Sequence, residues 1–190
     1  MLRINSRKTL SGLLLCLSFG TMSSFAAPQA GTNGNSSALN TSSSGGSSTN
    51  VKWDRIVGLV TAQGLSNPVA GIASGTTPWT TSTGAVAVDL TNGEAVFFVQ
   101  GLVLVGGNAS GTPGPVTSVK AALVCNAGTD DQVISESAAV PLDGQGNAQF
   151  RGALQPVPPS ACSNPLFLVL NAAKNVWIGT AAVRTIETAP

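Results

Sequence analysis

The sequence has no histidine and no tyrosine, and only 9% of its 190 residues are charged. Without histidine there is no Ser-His-Asp triad, no Cys-His pair, and no imidazole to ligate zinc, copper or haem iron. Beyond the N-terminal 26 residues, acid–base work falls to eight carboxylates and the lysines Lys52, Lys120 and Lys174. No motif nominates a serine for a Ser–Lys dyad. Long apolar runs are scarce as well. After the N-terminal stretch, none reaches the roughly 18 residues of a membrane helix. The nearest, 94–106, contains Glu94 and Gln100.

What is present begins with an export signal. Arg3, Arg7 and Lys8 precede the apolar Leu10–Phe19. Ser24-Phe25-Ala26-Ala27 then puts small residues at −3 and −1 of a cut after Ala26. That is the layout of a secretory signal peptide over 1–26. Leu15, just before Cys16, argues against lipidation, because a lipoprotein signal wants a small residue there. Cleavage removes Cys16, both methionines and three of the nine basic side chains. Six basic and eight acidic residues remain, a formal net charge of −2. Such a chain offers no electrostatic footprint for nucleic acid or anionic lipid.

Residues 27–50 read as a flexible linker. Eighteen of them are Gly, Ser, Thr or Asn, and Leu39 is the only large apolar residue. Nothing there offsets the entropy of ordering. A coil of this kind spans about 25–30 Å. Cys125 and Cys162 are the two thiols left, and an even pair in an exported chain predicts a structural disulfide. A redox-active pair would have close C-x-x-C spacing, which is absent. Closing this loop contributes about 4 kcal/mol in the chain-entropy model.

From residue 51 to 190 the pattern is that of strands. Val86, Val88 and Leu90 alternate with Ala85, Ala87 and Asp89, and Asn92-Gly93 predicts a type I′ hairpin turn. The partner strand, 94–105, is apolar on both faces, as a central strand is, with a bulge expected at Gln100-Gly101. Val119, Ala121, Leu123 and Cys125 share a face of the next strand. Residues 138–142 lead through the turn Asp143–Asn147 to a return strand with Ala148, Phe150 and Leu154 inward. A last hairpin joins 166–170 to 176–183, residues 51–62 add one more run, and 64–84 reads as a long loop. The expectation is an all-β domain over 51–190: an Ig-like or Greek-key β-sandwich of about eight strands with one disulfide.

Few residues suggest chemistry. Asp89 and Glu94 flank the Asn92-Gly93 turn and could face each other as a glycosidase carboxylate pair, although hairpin ends ordinarily carry solvated acids. Asp130-Asp131 and the oxygen-rich Asp143–Asn147 turn are candidates for calcium, but the latter lacks EF-hand spacing. Trp79, beside Pro78 in the long loop, and Trp177 are candidate ligand contacts, either stacking on a carbohydrate or anchoring a protein; core packing is the plainer role for each. No cofactor is implied.

Gln100–Leu104 and Thr112–Cys125, followed by Ala139–Leu142, Gly146–Ala148 and Pro159–Cys162, resemble a group of exported bacterial two-cysteine β-domain proteins of unknown function. The resemblance covers about half the mature chain; Pro113–Pro115 and the paired cysteines are its specific part. It implies the same β fold and assigns no catalytic residue. Val86–Leu102 also resembles chordin-type β domains, whose typical histidines are missing here.

The function expected from these features is a non-catalytic secreted or cell-surface protein with a structural, adhesive or matrix role. A mean hydropathy of +0.27 in a charge-poor chain points to self-association or an envelope or matrix partner. The alternatives are a soluble ligand-binding module using Trp79 or Trp177 and, further off, a carboxylate-only glycosidase. The destination is the exterior or cell surface, with the periplasm as the other compartment.

Overall fold

Val, Ile, Leu, Phe and Thr in period-2 alternation fill pleated, half-buried surfaces well, and strands are the only regular elements among the described residues. The computed structural model describes residues 49–188. The signal peptide assigned to 1–26, with Cys16, and the linker up to residue 48 lie outside the described residues. Eleven strands form: β1 (Thr49–Gly58), β2 (Trp79–Thr80), β3 (Thr83–Asp89), β4 (Glu94–Gln100), β5 (Val103–Leu104), β6 (Ser118–Cys125), β7 (Val133–Glu136), β8 (Val140–Pro141), β9 (Ala148–Ala153), β10 (Leu166–Asn171) and β11 (Val176–Thr188). β1 begins at Thr49, within the span assigned to the linker.

Nine strands make one antiparallel sheet, ordered β7-β6-β10-β11-β1-β3-β4-β9 with β8 also on β6. The sheet curls over on itself. Its outer strands meet where Glu136, ending β7, and Gln155, just past β9, exchange two backbone hydrogen bonds of 2.8 Å each. Inside the curl, Phe167 of β10 lies 5.7 Å from Phe97 of β4 and 5.9 Å from Trp53 of β1, centroid to centroid. Phe150 of β9 stacks on Phe97 from the other side at 5.9 Å. Facing strands thus share one core. Cys125 and Cys162 are bonded, tying the end of β6 to the loop before β10, and Ser163 N–H donates to Asn126 Oδ1 beside them.

All eight strands that the sequence pattern predicts are present, with 94–105 divided into β4 and β5; β2 and β7 are additional. The expected bulge at Gln100-Gly101 is instead the end of β4. Gly101 sits at φ +64°, where a Cβ would collide with Ser82 Oγ, and the chain turns away into β5. The hairpin turn is not type I′. Only Gly93 has positive φ, and the loop closes through Gly93 N–H on the Asp89 carbonyl at 2.8 Å, with Asn92 Oδ1 accepting from Glu94 N–H. The stretch 64–84 is less loop-like than expected. Val69 bridges Ile72, Ser74 bridges Trp177, β2 pairs with β5, and β3 already starts at Thr83.

Candidate functional site

β4 presents its two faces differently. Ala95, Phe97 and Val99 are buried, whereas Val96 is 37% exposed and Phe98 41% exposed. The strand is central in the sheet, as expected, yet its second apolar face meets solvent. Register across the sheet sets Lys52, Ala87, Val96 and Arg151 in one row, and Ala85, Phe98 and Gln149 in another. The small side chains of Ala85 and Ala87 leave Val96 and Phe98 standing as a ridge. Phe98 borders three depressions. One lies toward Lys52 and Asp54, one toward Gln149 and Arg151, and the largest, about 580 Å³, toward Pro141, Asp143 and Asn147.

The turn 143–147 forms the wall of that largest depression. Asp143 Oδ1 accepts from Gln145 N–H at 2.9 Å and Asn147 N–H at 2.8 Å, and Oδ2 accepts from the Asn147 side chain at 3.0 Å. The backbone N–H of Asn147, ahead of the other donors, holds the Asp143 carboxyl below its ordinary pKa. Gly146, at φ +78°, lies so close to the Leu102 backbone that no Cβ fits, and its carbonyl accepts Leu102 N–H at 2.8 Å. The carboxylate weighed as a candidate calcium ligand organises its own loop. Among the described residues no group of three or more His, Cys, Asp or Glu side chains could hold a metal ion.

The other candidates fall as follows. Asp89 Oδ1 accepts from Thr91 N–H at 2.8 Å, so that carboxylate caps the turn beside Glu94, which is exposed. Asp130 and Asp131 are exposed in the loop after β6. Neither tryptophan is an open stacking platform. Trp177 is 5% exposed, and its indole N–H donates to the Asn67 carbonyl at 3.0 Å. Trp79 is 6% exposed because its strand pairs with Leu104 and lies against Gly58, where a Cβ would strike the Trp79 carbonyl. Trp79 does line a cavity of about 330 Å³ between β2, β5 and the start of β11. The sequence pattern did not single out the Lys120–Glu136 ion pair at 2.6 Å, the outward ridge of β4, or Asn171, which lines the Trp79 cavity. For the ridge the signal was there: an apolar run on both faces fits an outward patch as well as a doubly covered strand.

Comparison with known proteins finds no family model, no curated protein and no solved structure that matches this chain. No helix among the described residues is long and apolar enough to cross a membrane.

Proposed function

We propose that the chain is an exported, non-catalytic surface protein that associates with further copies of itself through the outer face of β3, β4 and β9, in a structural or adhesive role. The observation that carries this is Phe98, 41% exposed in the middle of a strand and bordering three depressions. Two large apolar side chains standing side by side in water, over a floor of alanines, are the surface expected of an association site. The rim carries both signs of charge, with Asp143 exposed on one side and Arg151 on another. Such a face is self-complementary under a two-fold axis, since each copy can set its acid against the other's base. The signal-like start, the low charge of the mature chain and the resemblance to exported two-cysteine proteins support the placement outside the cytoplasm.

Size-exclusion chromatography with light scattering, run on the mature chain over a hundredfold range of concentration, tests the reading. Wild type should show a mass above the monomer that rises with concentration, and the double variant Val96→Thr/Phe98→Ser should stay monomeric. A wild type that is monomeric throughout overturns it.

A further inference from the structure

A second surface, sharing no lining residue with the depressions around Phe98, is built for a different kind of occupant. The cavity of about 330 Å³ has an apolar floor of Trp79, Leu104, Val116 and Ile178. That volume suits a small molecule, at the low end of the range for ligand pockets. Its polar side chains are the hydroxyls of Ser74, Thr76 and Thr77, the amide of Asn171 and the ammonium of Lys174. Asn171 is 7% exposed, and its Oδ1 accepts from Ala173 N–H at 3.1 Å, which fixes the amide. Its Nδ2 hydrogens then meet no acceptor among the described residues. The same holds for the indole N–H of Trp79, although that residue is also more than nine-tenths buried. Both donor atoms are open to the solvent of the cavity, since Ser135 Oγ is the one fully buried side-chain nitrogen or oxygen without a partner among the described residues, and a ligand there can take the place of water. At the rim stands the exposed Lys174, which forms no ion pair among the described residues. No Asp or Glu lines the cavity.

We infer that the cavity binds a small anionic ligand with a flat apolar body, an aromatic carboxylate being the simplest member of the class. The apolar part would lie on Trp79, Leu104 and Ile178. The carboxylate would accept from the amide of Asn171 and pair with Lys174, which supplies the charge-assisted bond. A neutral sugar fits less well. It leaves the Lys174 ammonium without a counter-charge.

Benzoate titrated into the ¹⁵N-labelled mature chain is the test, with benzyl alcohol as the neutral isostere. Benzoate should shift the indole signal of Trp79 and the side-chain amide signals of Asn171 saturably, and leave the indole signal of Trp177, bonded to Asn67, in place. Benzyl alcohol should bind at least tenfold more weakly. Lys174→Ala should weaken benzoate binding about tenfold without moving the rest of the spectrum, since that side chain is exposed. Lys174→Arg should restore most of it. No saturable shift, equal affinity for acid and alcohol, or indifference to Lys174→Ala each overturns the inference.

Discussion

Phe97 and Phe98 are adjacent in one strand and chemically identical, so truncating each in turn isolates the effect of the face on which it lies. Phe97 is 1% exposed and wedged between Phe150 and Phe167. Phe97→Ala removes a buried ring and leaves a cavity walled by two other rings, a change that costs about 3–5 kcal/mol. Phe98 has already given up only part of its contact with water. The corresponding loss is a little over half of the roughly 1.5–3 kcal/mol for burying such a side chain, with no cavity term because water refills the space, so about 1 kcal/mol. Both variants lose the same strand propensity, which therefore cancels in the comparison. Urea unfolding followed by tryptophan fluorescence reads the difference, because Trp53 packs on Phe167 within the same core. With a slope of roughly 2 kcal/mol per molar, Phe97→Ala should lower the midpoint by about 2 M and Phe98→Ala by about 0.5 M. Measurements belong at a protein concentration where both are monomeric, so that association does not add to apparent stability. Equal midpoints for the two variants, or a larger loss for Phe98→Ala, would refute the assignment of inner and outer faces to β4.

Two further outcomes follow from the same geometry. Reducing the Cys125–Cys162 bond, which spans 37 positions, should remove about 4 kcal/mol and shift the thermal midpoint by several degrees or more; an unchanged midpoint in excess reductant would contradict its structural role. The Asp143 carboxyl should titrate below the usual carboxylate range in a carbon-detected NMR experiment, so that its support of the 143–147 loop is complete above the ordinary carboxylate pKa and is lost as pH falls through the lowered folded value; a midpoint at or above the ordinary one would show that the Asn147 and Gln145 donors do not hold it.

What was legible in the sequence is what local patterning controls. The alternation at 85–90, the Asp143–Asn147 turn and the hairpin around Ala172–Asn175 each place a strand or a reversal from neighbouring residues alone, and the structure has them. The cysteine pair was equally plain. β2 was not, because a two-residue strand exists only through its partner, and nothing near Trp79 in sequence announces Leu104. Pro78-Trp79 therefore reads as loop, although packing is the plainer role for the indole and the structure buries it. The break at Gly101 was visible as a glycine, but whether a glycine bulges a strand or ends it depends on Ser82 and Asn147, both distant in the chain. Asn171 could not have been singled out at all. An asparagine closing a strand is an ordinary turn residue until the cavity it lines is known.

The curl of the sheet decides how such a domain can associate. An open antiparallel sheet exposes two rows of unpaired N–H and C=O groups, and these recruit further strands without limit. Here the Glu136–Gln155 bridge joins the two outer strands, and β7, β8 and β9 are four, two and six residues long. Strand addition has little edge to work with. The apolar ridge of Val96 and Phe98 is perpendicular to that direction and offers side chains instead of backbone groups. Contact through side chains on one face pairs two copies and then buries the patch that made the contact, so it closes where edge pairing would continue. A charge-poor chain has little repulsion to keep copies apart, and a covered face gives it a finite way to be satisfied. Under the self-association proposed above, this sheet would form a closed pair, which can serve as a building unit only if other surfaces connect one pair to the next.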